Sequence, residues 1–376
     1  MLTSKNNDLQ CLRAVAIILV MMQHYRNRLP TPDAYSRLFE HFSFWTGVDI
    51  FFAISGLLIC HSFLRDLRHS ASIKQASIAF WVRRLGRLFP AVVFWVAISV
   101  CVAAIASHSA GADPRKAAVS GAAALLGVSN AYWSYCVQHQ IAACGSADFN
   151  GVTWSLSLEW QLYATLMLLI VAVGRKWAVG LMLIAAIIMS AFPAPSFSIA
   201  WAFRMQAFAL GAATFLVLGK GGSLPKLSLH PVACITMLML GVLVCASSPT
   251  HLPQPFVLPA AAAGALLCLV SALSGNSYSR YRIVAPLIWI GERSYSIYLC
   301  HLPIFLVTNE VLVRSIGLQA DLGHIVIGLA IATTSIAICS DLSYRFIEAP
   351  FQRFVQYRLT RARQTNGVNL EITSPQ

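Results

Sequence analysis

Stretches of roughly 16–25 mostly apolar residues, each bounded by polar residues, recur about ten times along this chain of 376 residues. They lie at 12–29, 45–64, 91–106, 153–173, 177–192, 199–218, 231–248, 256–274, 294–313 and 323–347. A helix of about 20 apolar residues crosses the hydrocarbon of a bilayer, and repetition on this scale leaves a water-soluble fold no way to cover its surface. Only 11% of the residues are charged, against about 25% in soluble domains. The expected fold is therefore all-α, a polytopic transmembrane helical bundle of about ten spans. Polar residues rather than a small-residue cleavage site follow the first stretch, so it is read as a retained span.

The formal net charge of +13 does not signal nucleic-acid binding. The cations sit in short loops between apolar stretches, as orientation signals do. The shorter stretch 117–128 decides the topology. If it does not cross and the N-terminus is cytoplasmic, seventeen cations lie inside: Lys5, Arg65, Arg68, Lys74, Arg83, Arg84, Arg87, Arg175, Lys176, Lys220, Lys226, Arg280, Arg282, Arg353, Arg358, Arg361 and Arg363. Six lie outside: Arg26, Arg28, Arg37, Arg115, Lys116 and Arg314. If it crosses, the later loops flip and the bias vanishes. The reading is ten spans with both termini cytoplasmic and an outer-side loop over 117–151 that can dip into the membrane. Residues 1–347 form the transmembrane domain, and 348–376 a basic cytoplasmic tail, helical near the membrane and disordered at its end. Cys136 and Cys144 share the outer loop, where a disulfide can form; two free thiols are the alternative. The other eight cysteines lie in or beside apolar stretches, behave as small hydrophobes and make no metal-ligand pattern, so no metal is expected.

Ionisable residues inside spans mark function by default. Arg13 and His24 are eleven residues apart, which places them on one face of a helix and roughly 16 Å apart along its axis. A snorkelling arginine and an interfacial histidine would look the same. Asp49, a few residues into the next span, is expected beside His24, where a carboxylate would fix its tautomer and support it as a general base; a helix cap or structural ion pair is the alternative. Ser55-Gly56 reads as a close-packing site. Arg84 and Arg87, three apart on one helical face, suit phosphate groups at a helix start, or simply fix topology. Glu159 lies about two turns into the fourth span, at the expected depth of His24 and Asp49. Trp154, Ser155, Tyr295 and His301 are supporting candidates, His301 most simply as a packed, hydrogen-bonded residue.

Together these segments form a pattern. Arg13 and His24 with ten residues between them, GVDIFFAISG, RRLGRLFP, TWSLSLEWQLY and GERSYSIYLCH resemble, in the same order, the motifs of the acyltransferase-3 family of integral membrane O-acyltransferases. The resemblance implies transfer of an acyl group, usually acetyl, from cytoplasmic acyl-CoA to a carbohydrate hydroxyl. The acceptor would be a surface glycan, lipopolysaccharide among them, or a lipid-linked one at a bacterial inner membrane. It implies no bound cofactor, with acyl-CoA as co-substrate and membrane lipids around the chain. Some members add a C-terminal esterase-like domain, which is not expected here. SLEWQLY lacks the second acidic residue many members carry after the glutamate. The expected roles are His24 as base, Asp49 orienting it, Glu159 tuning the site or binding the acceptor, and Arg13, Arg84 and Arg87 holding the donor. A transporter or flippase for a glycolipid or small polar solute would use the same buried charges, but no internal repeat supports it.

Overall fold

The computed structural model describes residues 6–106, 112–219, 222–275, 277–317 and 321–365, with side chains up to residue 361. Lys5, Lys220, the side chain of Arg363 and the expected disordered end of the tail lie outside the described residues. Among the described residues the chain is helical and has no strand.

Helix α1 (Asn7–Tyr25) opens where the Asn6 side chain accepts from the Leu9 amide, satisfying one of the free amides at a helix start. It stops at Tyr25, short of the expected 29, and Asn27 takes a left-handed φ of 64°. After the short α2 (Asp33–His41) come α3 (Gly47–Arg68) and the 33-residue α4 (Ile73–Ile105). RRLGRLFP therefore lies inside a helix rather than at a helix start, and the expected span at 91–106 is only its second half. Pro90 is accommodated within α4.

The expected outer loop is itself helical: α5 (Pro114–Leu125), α6 (Ser129–Gln138) and α7 (Ala147–Asn150) pack over one end of the bundle. A Cys136–Cys144 disulfide, with Cα atoms 6.0 Å apart, closes it. Then follow α8 (Thr153–Val173), α9 (Arg175–Ser190), α10 (Ile199–Ala202), α11 (Gln206–Leu218), α12 (Pro231–His251) and α13 (Gln254–Ser271). The chain continues through α14 (Ala285–Ser315) and α15 (Leu322–Ser343), then a π-helical turn, Tyr344–Glu348, into α16 (Ala349–Thr365).

Among the described residues, eight segments are long and apolar enough to cross a membrane; they correspond to eight of the ten expected spans. The other two are α1, interrupted by Asp8, Arg13 and His24, and α9, which has 16 residues. Leu168, Ile187, Val217 and Met239 are 66–80% exposed. Such an apolar surface is untenable in water and is what lipid contact requires. The chain is an integral membrane protein.

Lipid tails are as apolar as leucine, so helices in a bilayer associate through close packing rather than a hydrophobic drive. At the α3–α11 crossing, a Cβ on Gly56 would collide with the Phe208 carbonyl, and one on Gly211 with the Ala53 carbonyl. This reciprocal contact fixes α11 against the helix that carries Asp49. On the other side of α3, α1 packs between α3 and α14. The last span and the tail are not separate: Leu322–Arg361 is one helical rod. It runs antiparallel to α4, touching it where Trp95 Nε1 donates to Ser343 Oγ (3.1 Å) and again where Val355 meets Gly86.

Candidate active site

His24, in the last turn of α1, reaches its main partner on α14. Its Nδ1 lies 2.9 Å from Nε2 of His301, and the rings stack with centroids 5.0 Å apart. With both rings neutral, the chain of contacts assigns the tautomers. His301 Nδ1 lies 3.1 Å from the Ile297 carbonyl, which can only accept, so that nitrogen carries its hydrogen. In neutral His301, Nε2 is then the lone pair. It can only accept, so His24 Nδ1 donates, and the lone pair of His24 falls on Nε2. A histidine whose Nδ1–H is committed to a neighbour and whose Nε2 is bare is a competent proton acceptor.

His24 lines a cavity of about 430 Å³ at this end of the bundle. Trp45, Trp154 and Trp201 form its apolar wall, while Gln23, Asn27, Arg28 and Asp148 supply polar groups. Arg28 donates to the His24 carbonyl (2.7 Å) and pairs with Asp148 of α7. The helical cluster of α5, α6 and α7 thus contributes directly to the cavity.

Asp49 is not the group that orients His24. It is buried and pairs with Arg204, whose Nε lies 3.2 Å from Oδ1. Arg204 is 1% exposed, and its guanidinium carbon sits 4.3–4.6 Å from the ring centroids of Trp45, Trp154 and Trp201. Cation–π contact of this kind gains strength when desolvated. The pair therefore stands behind the aromatic wall, holding it in place. The expectation failed because equal depth on neighbouring helices says nothing about azimuth, and the turn between α10 and α11 presents Arg204 on the other side of α3.

Glu159 is likewise not beside His24. It accepts from the hydroxyls of Ser55 and Tyr163, so Ser55 is a hydrogen-bond donor and not simply a packing residue. Glu159 lines a second cavity of about 100 Å³, together with Arg13, Arg84, Arg87, Ser155 and Tyr295. Arg13 Nε donates to Ser294 Oγ (3.1 Å), Ser155 shares a 2.6 Å hydrogen bond with Tyr298, and Tyr295 donates to the Leu88 carbonyl (2.7 Å). All three donor candidates thus share one cavity with Glu159, while His24 and Trp154 belong to the other.

The two cavities adjoin, since Val48 and Tyr298 line both. A third, at the far end, shares Arg84 and Arg87 with the second. Three cavities in series therefore run through the bundle, from an arginine-lined mouth to His24. Among the described residues no group of three or more His, Cys, Asp or Glu could hold a metal ion.

Residues 6–343 match the acyltransferase domain family. The chain belongs to the acyltransferase-3 family. Among its relatives is the peptidoglycan O-acetyltransferase OatA of Listeria monocytogenes, 28% identical over 92% of this chain and 56% of that protein. The putative peptidoglycan O-acetyltransferase YrhL of Bacillus subtilis is 29% identical over 81% of this chain and 50% of its own length. The O-acetyltransferase OatA of Staphylococcus aureus is 26% identical over 82% and 52%. The chain spans about half the length of these curated relatives. No solved structure matches it.

Within this acyltransferase fold, sequence reasoning overlooked Arg204, Tyr298, Arg28 and Asp148. Arg204 was detectable, because it is an ionisable residue inside an apolar stretch, the signal that singled out Arg13. Arg28 and Asp148 sit in polar segments, and nothing local distinguishes them from solvated loop charges.

Proposed function

We propose that this protein is a membrane O-acyltransferase, acetyl being the group moved by its named relatives. Acyl-CoA would enter from the cytoplasm at the arginine-lined mouth, and a carbohydrate hydroxyl from the opposite side at the His24 cavity. The observation that carries this reading is the series of cavities, which has phosphate-binding chemistry at one end and a bare imidazole nitrogen at the other.

Arg84 and Arg87 make no ion pair among the described residues, which leaves their guanidiniums to hold donor phosphates. Arg13 and Glu159 flank the narrow middle cavity, where the pantetheine arm would lie and carry the thioester toward Tyr298 and Val48. In the wide cavity, flat tryptophan faces suit the apolar face of a sugar ring, and Gln23, Asn27, Arg28 and Asp148 suit its hydroxyls. His24 Nε2 would take the proton of the acceptor hydroxyl as its oxygen attacks the thioester carbonyl. Collapse of the tetrahedral adduct breaks the C–S bond, coenzyme A leaves as the thiolate, and the His24 proton neutralises it. His301 keeps accepting from His24 Nδ1–H throughout, doing the orienting first expected of Asp49. Peptidoglycan is the acceptor in the names of two relatives, and a surface glycan is the acceptor class proposed here. Acyl transfer from radiolabelled acetyl-CoA to glycan by the protein in nanodiscs tests the reading. No transfer, with intact folded protein and its native glycan supplied, would overturn it.

A further inference from the structure

The mouth at the Arg87 end is closed on one side by a helix outside the part of the chain that matches the family, since the match ends at residue 343 and α16 begins at Ala349. Gln352, Val355 and Gln356 share one face of α16. All three are half-buried, whereas Phe351, Arg353, Phe354 and Tyr357 are exposed. The inward face lines a cavity of about 170 Å³ with Arg65, Arg83, Arg84 and Arg87. The approach is close: a Cβ on Gly86, between Arg84 and Arg87, would collide with Val355 Cγ2. Of the arginines, Arg83 pairs with Asp66, and Arg65 Nη2 lies 3.8 Å from the same carboxylate. Arg84, which lies over the rings of Phe80 and Tyr163, and Arg87 make no ion pair among the described residues and can meet an anionic ligand.

We propose that α16 is a wall of the donor site and that Gln352 and Gln356 bind the phosphate-bearing end of acyl-CoA; this rests on the donor reading above. A glutamine amide suits that task chemically. Its Nε2 donates to a phosphate oxygen, and its Oε1 accepts from an exocyclic amine or a ribose hydroxyl. Being uncharged, it adds these contacts without further repulsion among four guanidiniums. The donor site is then complete only when the rod of α15 and α16 lies along α4, so a helix that carries no family motif would set donor affinity.

Phosphate chemistry is shared by coenzyme A and by anionic lipid headgroups, and the test separates them. Coenzyme A binding is measured for the full chain in zwitterionic nanodiscs and in nanodiscs containing phosphatidylglycerol. The unaltered protein is compared with Gln356→Lys, Gln356→Glu and the double change Gln352→Leu with Gln356→Leu. The expected order is tightest for Gln356→Lys, then wild type, then the double variant, then Gln356→Glu. Each step is about three- to tenfold, the range of a partly exposed charge-assisted contact. The double variant, folded and with its thermal midpoint unchanged, reads the glutamine contacts themselves, and the Lys and Glu variants read how near position 356 lies to the bound phosphate. Equal affinities across the series, with wild type binding, would overturn the proposal and leave the donor reading standing. No coenzyme A binding by wild type would overturn the donor reading and this inference with it. A charge order seen only for phosphatidylglycerol, with coenzyme A binding unchanged, would make the mouth a lipid site and overturn the proposal.

Discussion

His24 and His301 meet nitrogen to nitrogen, Nδ1 to Nε2 at 2.9 Å, across the packed interface of α1 and α14. A carboxylate partner would hold an imidazolium by charge; a neutral imidazole holds it only by its lone pair. Such a pair fixes direction more than it raises basicity.

Loss of a general base costs roughly 100- to 10,000-fold in rate. His24→Ala and His24→Gln should both reach that range per folded molecule, with membrane insertion unchanged. His301→Ala should lose less, on the order of tenfold or more, because the base remains but its ring is free to turn. His301→Gln should recover much of that loss, since its Oε1 can accept from His24 Nδ1–H. Acyl transfer assayed in nanodiscs distinguishes these. Near-normal turnover by His24→Ala would remove His24 from the mechanism.

Arg84→Ala and Arg87→Ala should each weaken the donor by the value of a charge-assisted hydrogen bond, about 1.5–3 kcal/mol. The effect belongs on the donor KM, with kcat at saturating acyl-CoA changed less. A normal donor KM in the folded double variant would return both residues to topology signals.

The Asp49–Arg204 pair predicts a stability effect in place of a proton-transfer effect. Removing one partner of a buried ion pair strands the other and costs about 3–5 kcal/mol. Asp49→Ala or Arg204→Ala alone should therefore lower the thermal midpoint in detergent markedly. Asp49→Leu with Arg204→Met should recover part of the loss, because two apolar side chains leave no stranded charge. If Asp49→Ala keeps the wild-type midpoint but loses all turnover, Asp49 takes part in the chemistry.

Orientation can be read by labelling. With the native cysteines removed, a cysteine at position 139, in the outer helical cluster, should react with a membrane-impermeant maleimide added to whole cells. A cysteine at position 360, on α16, should react only after permeabilisation. Labelling of position 360 in intact cells would invert the topology and with it the direction of transfer.

The sequence by itself determined the helical-bundle architecture, because the length of an apolar run is a local property that a bilayer reads one segment at a time. It also placed Arg13 and His24 on one helix face, since a helix of known pitch carries its own ruler. It brought Arg13, Arg84 and Arg87 under suspicion together, and the structure places them around one cavity. It did not show which residue His24 touches. Depth along a span follows from residue number, whereas azimuth depends on how neighbouring helices pack. The glycine contacts that set α11 against α3, Gly56 on Phe208 and Gly211 on Ala53, turn Asp49 toward Arg204 and leave His24 to His301. The docking of α16 along α4 was equally hidden, because a polar helix bearing Gln352 and Gln356 reads as a solvated tail until Gly86 offers Val355 a seat. Packing between distant segments decided each of these, and no single segment encodes it.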